Sequence, residues 1–320
     1  FAGRRLDHTV VLWGTTGQGK ADPYAEPERW LDEALDDLAA RAGLLLDRVV
    51  FRPLVVEFGL CGVHFVDRML GCRVYHYEGQ WWAERLAPPI GRLRPPDLER
   101  DDTWRLARAF AEAFLARGVT VPLFGLPTIA SALNVLVNLY GQEVLPDLIE
   151  RPEAARHDLR VINDLLCWLH RWYLAHIPRE QLQPVVAAGR CQPRGHGQLC
   201  GCTTQLLSPA MYCDLVAELD DELLSVYDHG GMIHLCGVHT HHIPTWRAMR
   251  SVRAVQLNDR AAEDLETYFH ELREDQIIYL NPTETMTVER AMAITGGRRL
   301  VIVADVKEPL PVPGPRQAAG

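Results

Sequence analysis

Met232-Ile233-His234-Leu235-Cys236-Gly237 is a short apolar run interrupted by a histidine and a cysteine two positions apart. Alternate side chains of a strand share a face. Read as a strand, the run sets His234 and Cys236 on one side, at the end where Gly237 stops it. Imidazole nitrogen and thiolate sulfur are ligands that zinc favours. A small buried thiol beside a satisfied core histidine leaves the same letters, so the run is decided by its context.

Outward from it, apolar runs of the same kind recur at Val10 to Trp13, Leu54 to Glu57, Val119 to Phe124, Pro184 to Ala188, Ala254 to Leu257, Ile277 to Leu280 and Leu300 to Ala304. With Met232 to Leu235 they number about eight, the count that closes a parallel barrel. They lack polar alternation, as strands buried on both faces do. Between them lie segments of helical period: Pro27 to Ala42, Asp102 to Arg117 with Asp102 or Thr103 as cap, Ser131 to Glu150, Pro152 to His176, Ser208-Pro209 to about Tyr227, Arg260 to Glu274 and Thr287 to Thr295. This alternation predicts an α/β fold, a single (β/α)8 TIM barrel over residues 1–308, with a Pro/Gly/Ala-rich tail over 309–320 expected to be disordered.

One region departs from the rhythm. From Glu57 to Pro96 the chain carries Gly59, Gly62, Gly71 and Gly79 with Tyr75, Tyr77, Trp81 and Trp82, an aromatic and Gly-rich excursion after the second strand. A hairpin is expected there, Cys72 to Glu78 with Gln80 to Ala83, lying over the barrel mouth. Trp81 and Trp82 are candidates for substrate contact, or simply pack the excursion down.

Bulk properties narrow the function. Apolar residues make up 48% and charged residues 23% of 320 residues, which is ordinary globular composition. Against 42 acidic residues stand 33 basic ones, a net charge of −9, so no general basic field exists to hold nucleic acid or an anionic membrane. No apolar run is long enough to span a bilayer and no signal-peptide core follows Phe1; a cytoplasmic protein is expected. Eight cysteines, several inside apolar or helical runs, read as free thiols of a reducing compartment. Cys200-Gly201-Cys202, near Cys191, is the local exception: ligands, a redox pair, or neither.

Chemistry on such a barrel sits at the C-terminal ends of the strands. Residues following the apolar runs there are Glu57, Thr128, Arg190, His234 with Cys236, Gln256, Asn258, Asn281, Glu284 and Asp305. Zinc needs at least three protein ligands, with one position open for catalysis. Beside His234 and Cys236, the candidates are Cys202 ahead of Cys200, then Asp305 or Glu284. His239, His241 and His242 crowd a polar loop and read as solvated or capping groups.

Ser208-Pro209 opening a helix, then Gly230-Gly231-Met232-Ile233-His234-Leu235-Cys236-Gly237 closing on a strand, resembles the uroporphyrinogen decarboxylase superfamily. The likeness is nearest to its zinc-containing, cobalamin-dependent methyltransferases, the methylcobamide:coenzyme M methyltransferase branch. Gly125-Leu126-Pro127-Thr128-Ile129-Ala130-Ser131, Arg151-Pro152-Glu153, Asn281-Pro282 and Val301-Ile302-Val303-Ala304-Asp305 are similar to other superfamily segments. The resemblance implies a (β/α)8 barrel and a zinc site at His234 and Cys236. Its third ligand is a cysteine near the end of the last strand, where this chain has Ala304-Asp305, so Asp305 or Cys202 substitutes, the site binds metal weakly, or it has been reassigned. It further implies a small thiol acceptor and a corrinoid (cobalamin) methyl carrier on a partner protein, since this chain has no Asp-x-His-x-x-Gly cobalamin motif. In that scheme Glu57, Asn258 and Glu284 position the substrate or move a proton, while Trp81, Trp82, Thr128, Arg190, Gln256 and Asn281 bind it. A metal-independent decarboxylase or lyase on the same barrel, and a non-catalytic corrinoid- or tetrapyrrole-binding module, are the alternatives. The sequence leaves open the methyl donor, the oligomeric state and the redox state of Cys200 and Cys202.

Overall fold

Every residue of the run Gly231–Leu235 is buried, and so are those of Ile277–Leu280 and Leu300–Val303, as continuous apolar strands of a parallel sheet require. The computed structural model describes residues 7–41, 50–51, 53–120, 122–125, 127–183 and 188–304. Its strands, in chain order, are β1 (Val10–Leu12), β2 (Thr15–Gly17), β3 (Val50–Phe51), β4 (Leu54–Val56), β5 (Val74–Tyr77), β6 (Gln80–Ala83), β7 (Leu123–Gly125), β8 (Leu182–Gln183), β9 (Gly197–Cys200), β10 (Gly231–Leu235), β11 (Val252–Leu257), β12 (Ile277–Leu280) and β13 (Leu300–Val303). One sheet runs β3-β1-β13-β12-β11-β10-β9 and a second β2-β4-β7-β8, with every pair in both parallel. The fold is therefore mixed α/β with two parallel sheets. Among the described residues no ladder joins β8 to β9.

Alternation divides the strands between two cores. Ile233, Leu235, Val255, Leu257, Ile278, Leu280 and Ile302 pack with the helices. The intervening Met232, Ala254, Ile277, Tyr279, Val301 and Val303 form a separate interior with Leu12, Val55 and Cys191. Because β1 and β4 belong to different sheets, the two sheets line this interior together. His234 and Gln256 continue the inward-facing rows of β10 and β11, two residues beyond Met232 and Ala254.

Several expected elements are subdivided. The helix expected from Ser131 to Glu150 is Ala132–Tyr140, a 3-10 turn at Gln142–Val144 and Asp147–Glu150. Gly141 at φ 79° ends the first piece, and Pro146 cannot donate a helical hydrogen bond. The helix after Ser208 breaks at Val216 into Pro209–Leu215 and Ala217–Leu224. Asp101, one residue earlier than expected, caps Asp102–Ala116 by accepting from the Trp104 amide at 2.7 Å. Strand β9 is an addition to the expected set: Gly197-Gln198-Leu199-Cys200 is too polar to stand out as an apolar run. The strand expected at Pro184 to Ala188 lies mostly outside the described residues, as do Asp305 and the 309–320 tail. The hairpin is present as β5 paired antiparallel with β6, turning at Glu78 and Gly79 with φ of 50° and 77°, the left-handed pair such a two-residue turn demands.

Candidate metal centre

Strands β9 and β10 pair with Cys200 beside His234. Each therefore delivers its last polar residues to the same end of the sheet. Cys202 opens the 3-10 turn Cys202–Leu206 just past β9, and Cys236 stands one residue past β10. Between Cys200 and Cys202, Gly201 passes so close to β10 that a Cβ there would lie 2.6 Å from Ile233 Cγ2 and 3.0 Å from Leu235 Cδ2. A side chain at 201 would push Cys202 away.

Cys202, His234 and Cys236 present Sγ, a ring nitrogen and Sγ all within 4.8 Å of one another. Cys202 Sγ donates to Cys236 Sγ at 3.1 Å, and Cys236 Sγ lies 3.1 Å from His234 Nε2. Tetrahedral zinc, with bonds of about 2.0–2.3 Å, holds such donors roughly 3.5–3.8 Å apart, so a small outward adjustment accommodates the ion. Two sulfurs and one nitrogen form the donor set of a catalytic zinc site with its fourth position free.

The surroundings fix which atom of His234 faces the sulfurs. Gln256, 2% exposed, donates through Nε2 to Asn281 Oδ1 at 2.8 Å, which leaves its Oε1 to accept from His234 Nδ1 at 2.9 Å. With the proton on Nδ1, Nε2 turns its lone pair toward Cys236, the ligating tautomer. Hydrogen bonding from Cys202 draws the Cys236 thiol down to about 4, and the Asn258 amide, 3.9 Å from the sulfur, acts in the same direction against burial. Cys202 also draws Cys200 down, while Cys202 itself, beside both sulfurs and donating to Cys236, is pushed far up. The three thiols thus share protons that a cation would displace.

Three histidines pin the loops that carry the cysteines. His239, fully buried, accepts from the Gly237 amide at Nε2 (3.2 Å) and meets Thr204 Oγ1 at Nδ1 (3.1 Å), while Thr204 donates on to the Gly201 carbonyl at 2.8 Å. His242 Nε2 bonds the Thr204 carbonyl at 2.8 Å, and His241 Nε2 the Leu207 carbonyl at 3.1 Å. Burial holds His239 and His242 down, to about 3 and about 4. Both nitrogens of His239 are engaged, so it is a brace and not a ligand. From outside, Asn134 on Ala132–Tyr140 donates to Cys200 Sγ at 3.4 Å.

The remaining sequence candidates fall in different places. Gln256 stands behind His234, its amide taken up by the imidazole at Oε1 and by Asn281 Oδ1 at Nε2, while half-buried Asn281 is engaged there through Oδ1. Glu57 lines a cavity of ≈ 290 Å³ with Thr16, Gln18, Trp30, Phe58 and Leu60. Its charge also bears on buried Cys191, whose thiol is raised first by burial and then by that carboxylate. Thr128 is buried, and its hydroxyl has no hydrogen-bond partner among the described residues. Arg190 ends the turn Ala188–Arg190 and is half-buried. Trp81 packs on Tyr24 and His76, at ring distances of 5.7 and 5.2 Å. Trp82 is 47% exposed and donates to the Tyr77 carbonyl at 3.2 Å, so it holds the hairpin together. Glu284 is exposed and makes none of the cluster's hydrogen bonds. Asn134, Thr204 and the bracing role of His239 were not legible in the sequence, because each acts across elements far apart in the chain.

No protein-family profile matches the chain, and no curated protein matches its sequence. Among solved structures, a methyltransferase from Methanosarcina mazei is similar, with a TM-score of 0.63 over 95% of this chain and 90% of that one, at 9% identity. At that identity the likeness establishes a shared fold. No helix among the described residues is long and apolar enough to cross a membrane.

Proposed function

We propose that this chain is a zinc-dependent methyltransferase on a TIM barrel, moving a methyl group between a corrinoid held by a partner protein and a small thiol. The observation that carries the reading is the Cys202–His234–Cys236 cluster, with its imidazole locked in the ligating tautomer, at the C-terminal ends of parallel strands. The shared fold with a methyltransferase supports it, as does the superfamily resemblance around Ser208-Pro209 and His234 to Gly237. Cys202 takes the ligand role that the superfamily gives to a cysteine near the end of its last strand. Bound among these three residues, zinc would supply Lewis acidity and an open position for a substrate sulfur. The chain's own residues do the rest: Gln256 and Asn281 keep the His234 lone pair in place, Asn258 donates to Cys236 and stabilises its thiolate, and the histidine brace holds Cys202 against β10.

The test is a demethylation assay. Zinc-loaded protein is mixed with methylcobalamin and a panel of small thiols, following the loss of the methylcobalamin spectrum. Turnover with at least one thiol, abolished in Cys236→Ala, is expected. Zinc-loaded protein that demethylates nothing would remove the methyl-transfer reading and leave the metal-independent lyase to pursue.

A further inference from the structure

At the N-terminal ends of β8, β9 and β10, away from the thiol cluster, lies a cavity of ≈ 360 Å³, within the range of about 300–1,000 Å³ typical of small-molecule sites. Four charged side chains line it. They are Arg171 on the helix Pro152–His176, Arg179 just past that helix, Arg194 on the turn into β9 and Asp228 on the turn into β10. Leu174, Leu182, Val226 and Tyr227 supply apolar wall. The two turns are fastened together, the His229 amide donating to the Gly195 carbonyl at 3.0 Å and the Gly197 amide to the Gly230 carbonyl at 2.8 Å. Tyr227 is fixed in turn by a hydrogen bond between its hydroxyl and the buried His170 ring. Gly197 makes room for it, since a Cβ there would lie 2.0 Å from Tyr227 Cδ2.

Charges in this cavity do not balance. Arg179 holds Asp228, whereas Arg171 and Arg194 make no ion pair or hydrogen bond among the described residues. Three guanidiniums against one carboxylate leave a surplus of two positive charges in a chain whose net charge is −9. Arginines nearby are arranged differently. Arg156, Arg160 and Arg171 fall on one face of Pro152–His176, the last of them three turns beyond the second. Arg156 reaches Asp214 at 2.7 Å and Arg160 bonds Glu222, both on the helices after Ser208. At Arg171 the segment across the cavity is Val226 to Asp228, and its one carboxylate is already taken. A guanidinium offers a planar fork of donors that fits two phosphate oxygens at once. Two uncompensated charges match the roughly −1.5 to −2 that a phosphate monoester carries at neutral pH; a carboxylate would answer only one of them.

We propose that this cavity binds the phosphate monoester of a small molecule, with Arg171 and Arg194 holding its oxygens and Leu174, Val226 and Tyr227 packing on its carbon body. Strand β10 separates the site from the thiol cluster, since Gly231 to Leu235 spans about 13 Å. The phosphate site is therefore distinct from the candidate metal centre, and the assignment stands whether or not that centre takes a thiol.

The test is calorimetric titration of the full chain with phenyl phosphate at neutral pH and low salt, on zinc-loaded and on metal-free protein. Saturable binding of one equivalent is expected, with the same affinity in both forms. Arg171→Gln and Arg194→Gln each remove a charge-assisted hydrogen bond and should weaken binding about 10–100-fold. Both side chains are exposed, so the variants are expected to fold, which thermal unfolding checks. Arg156→Gln, whose partner is Asp214, should bind as wild type does. Inorganic phosphate, which lacks the carbon body, should bind more weakly, and phenol, which lacks the anion, should not bind. Binding confined to the zinc-loaded protein would put the phosphate on the metal and overturn the assignment. So would an absence of saturable binding, full affinity in the Arg171→Gln, Arg194→Gln double variant, or equal weakening in Arg156→Gln, which would mean a general field. Inorganic phosphate held as tightly as phenyl phosphate would overturn the part given to the apolar wall.

Discussion

Replacing Gln256 by Met tests whether the cluster is built to hold a metal or merely packs polar groups together. Gln256 is 2% exposed, and its Oε1 accepts the Nδ1 hydrogen of His234. Methionine fills the same volume without accepting, leaving a buried N–H unpaired at a cost of about 1–3 kcal/mol. The imidazole is then free to rotate or change tautomer, and loss of such an outer partner typically weakens metal binding about 10–100-fold, or about 1.4–2.7 kcal/mol. The assay is zinc competition against a chromophoric chelator at pH 7.5, with thermal unfolding of the metal-free protein to confirm that the variant is folded. Gln256→Glu, which keeps the acceptor, should stay close to wild type. A folded Gln256→Met that binds zinc as tightly as wild type would refute the argument that this hydrogen bond sets the ligating tautomer.

The histidine brace and the buried imidazoles give two further expectations. His239→Ala removes the bonds to Gly237 and Thr204 and opens a cavity beneath the Cys202 turn; a loss of about 2–4 kcal/mol should appear in the denaturant midpoint, together with weaker zinc binding, and an unchanged midpoint would deny the brace. Burial holds His170 down to about 4 and His239 to about 3, so below 6.5 the unfolded chain takes up protons that the folded one does not, and stability falls with pH. Between pH 7.5 and 5.5 each histidine should cost about 1.4 kcal/mol; because burial raises Asp220 to about 7 and it acts the other way over this range, the measurement is urea unfolding of wild type against His170→Phe at the two values, and an equal pH dependence in both would mean that the His170 ring is charged in the fold.

Much of the architecture was legible because parallel strands buried on both faces leave unbroken apolar runs. Strands β10 to β13 are of this kind, and the period-two argument for His234 and Cys236 rests on the same feature. Strand β9 escaped notice since Gln198 and Cys200 face inward beside Met232 and His234, in a row where polar residues stand in place of aliphatic ones. The helix breaks at Gly141 and Val216 differ in legibility. Gly141 marks its own break, whereas Val216 departs from helical geometry with nothing in its side chain to announce it. Within the site, residue types pointed to Cys202, but no spacing rule could say that Gln256 bonds His234. That depends on register between β10 and β11, where His234 pairs with Gln256. Likewise, three histidines in a loop look solvated until the turn at Thr204 closes over them.

Elemental analysis of the purified protein and two variants decides whether Cys202, His234 and Cys236 together hold one metal ion. Wild type supplied with zinc should carry about one zinc per chain; Cys202→Ser should lose it, and Cys200→Ser, whose sulfur lies outside the trio, should keep it. Wild type without zinc, or Cys202→Ser with a full complement, would contradict the account.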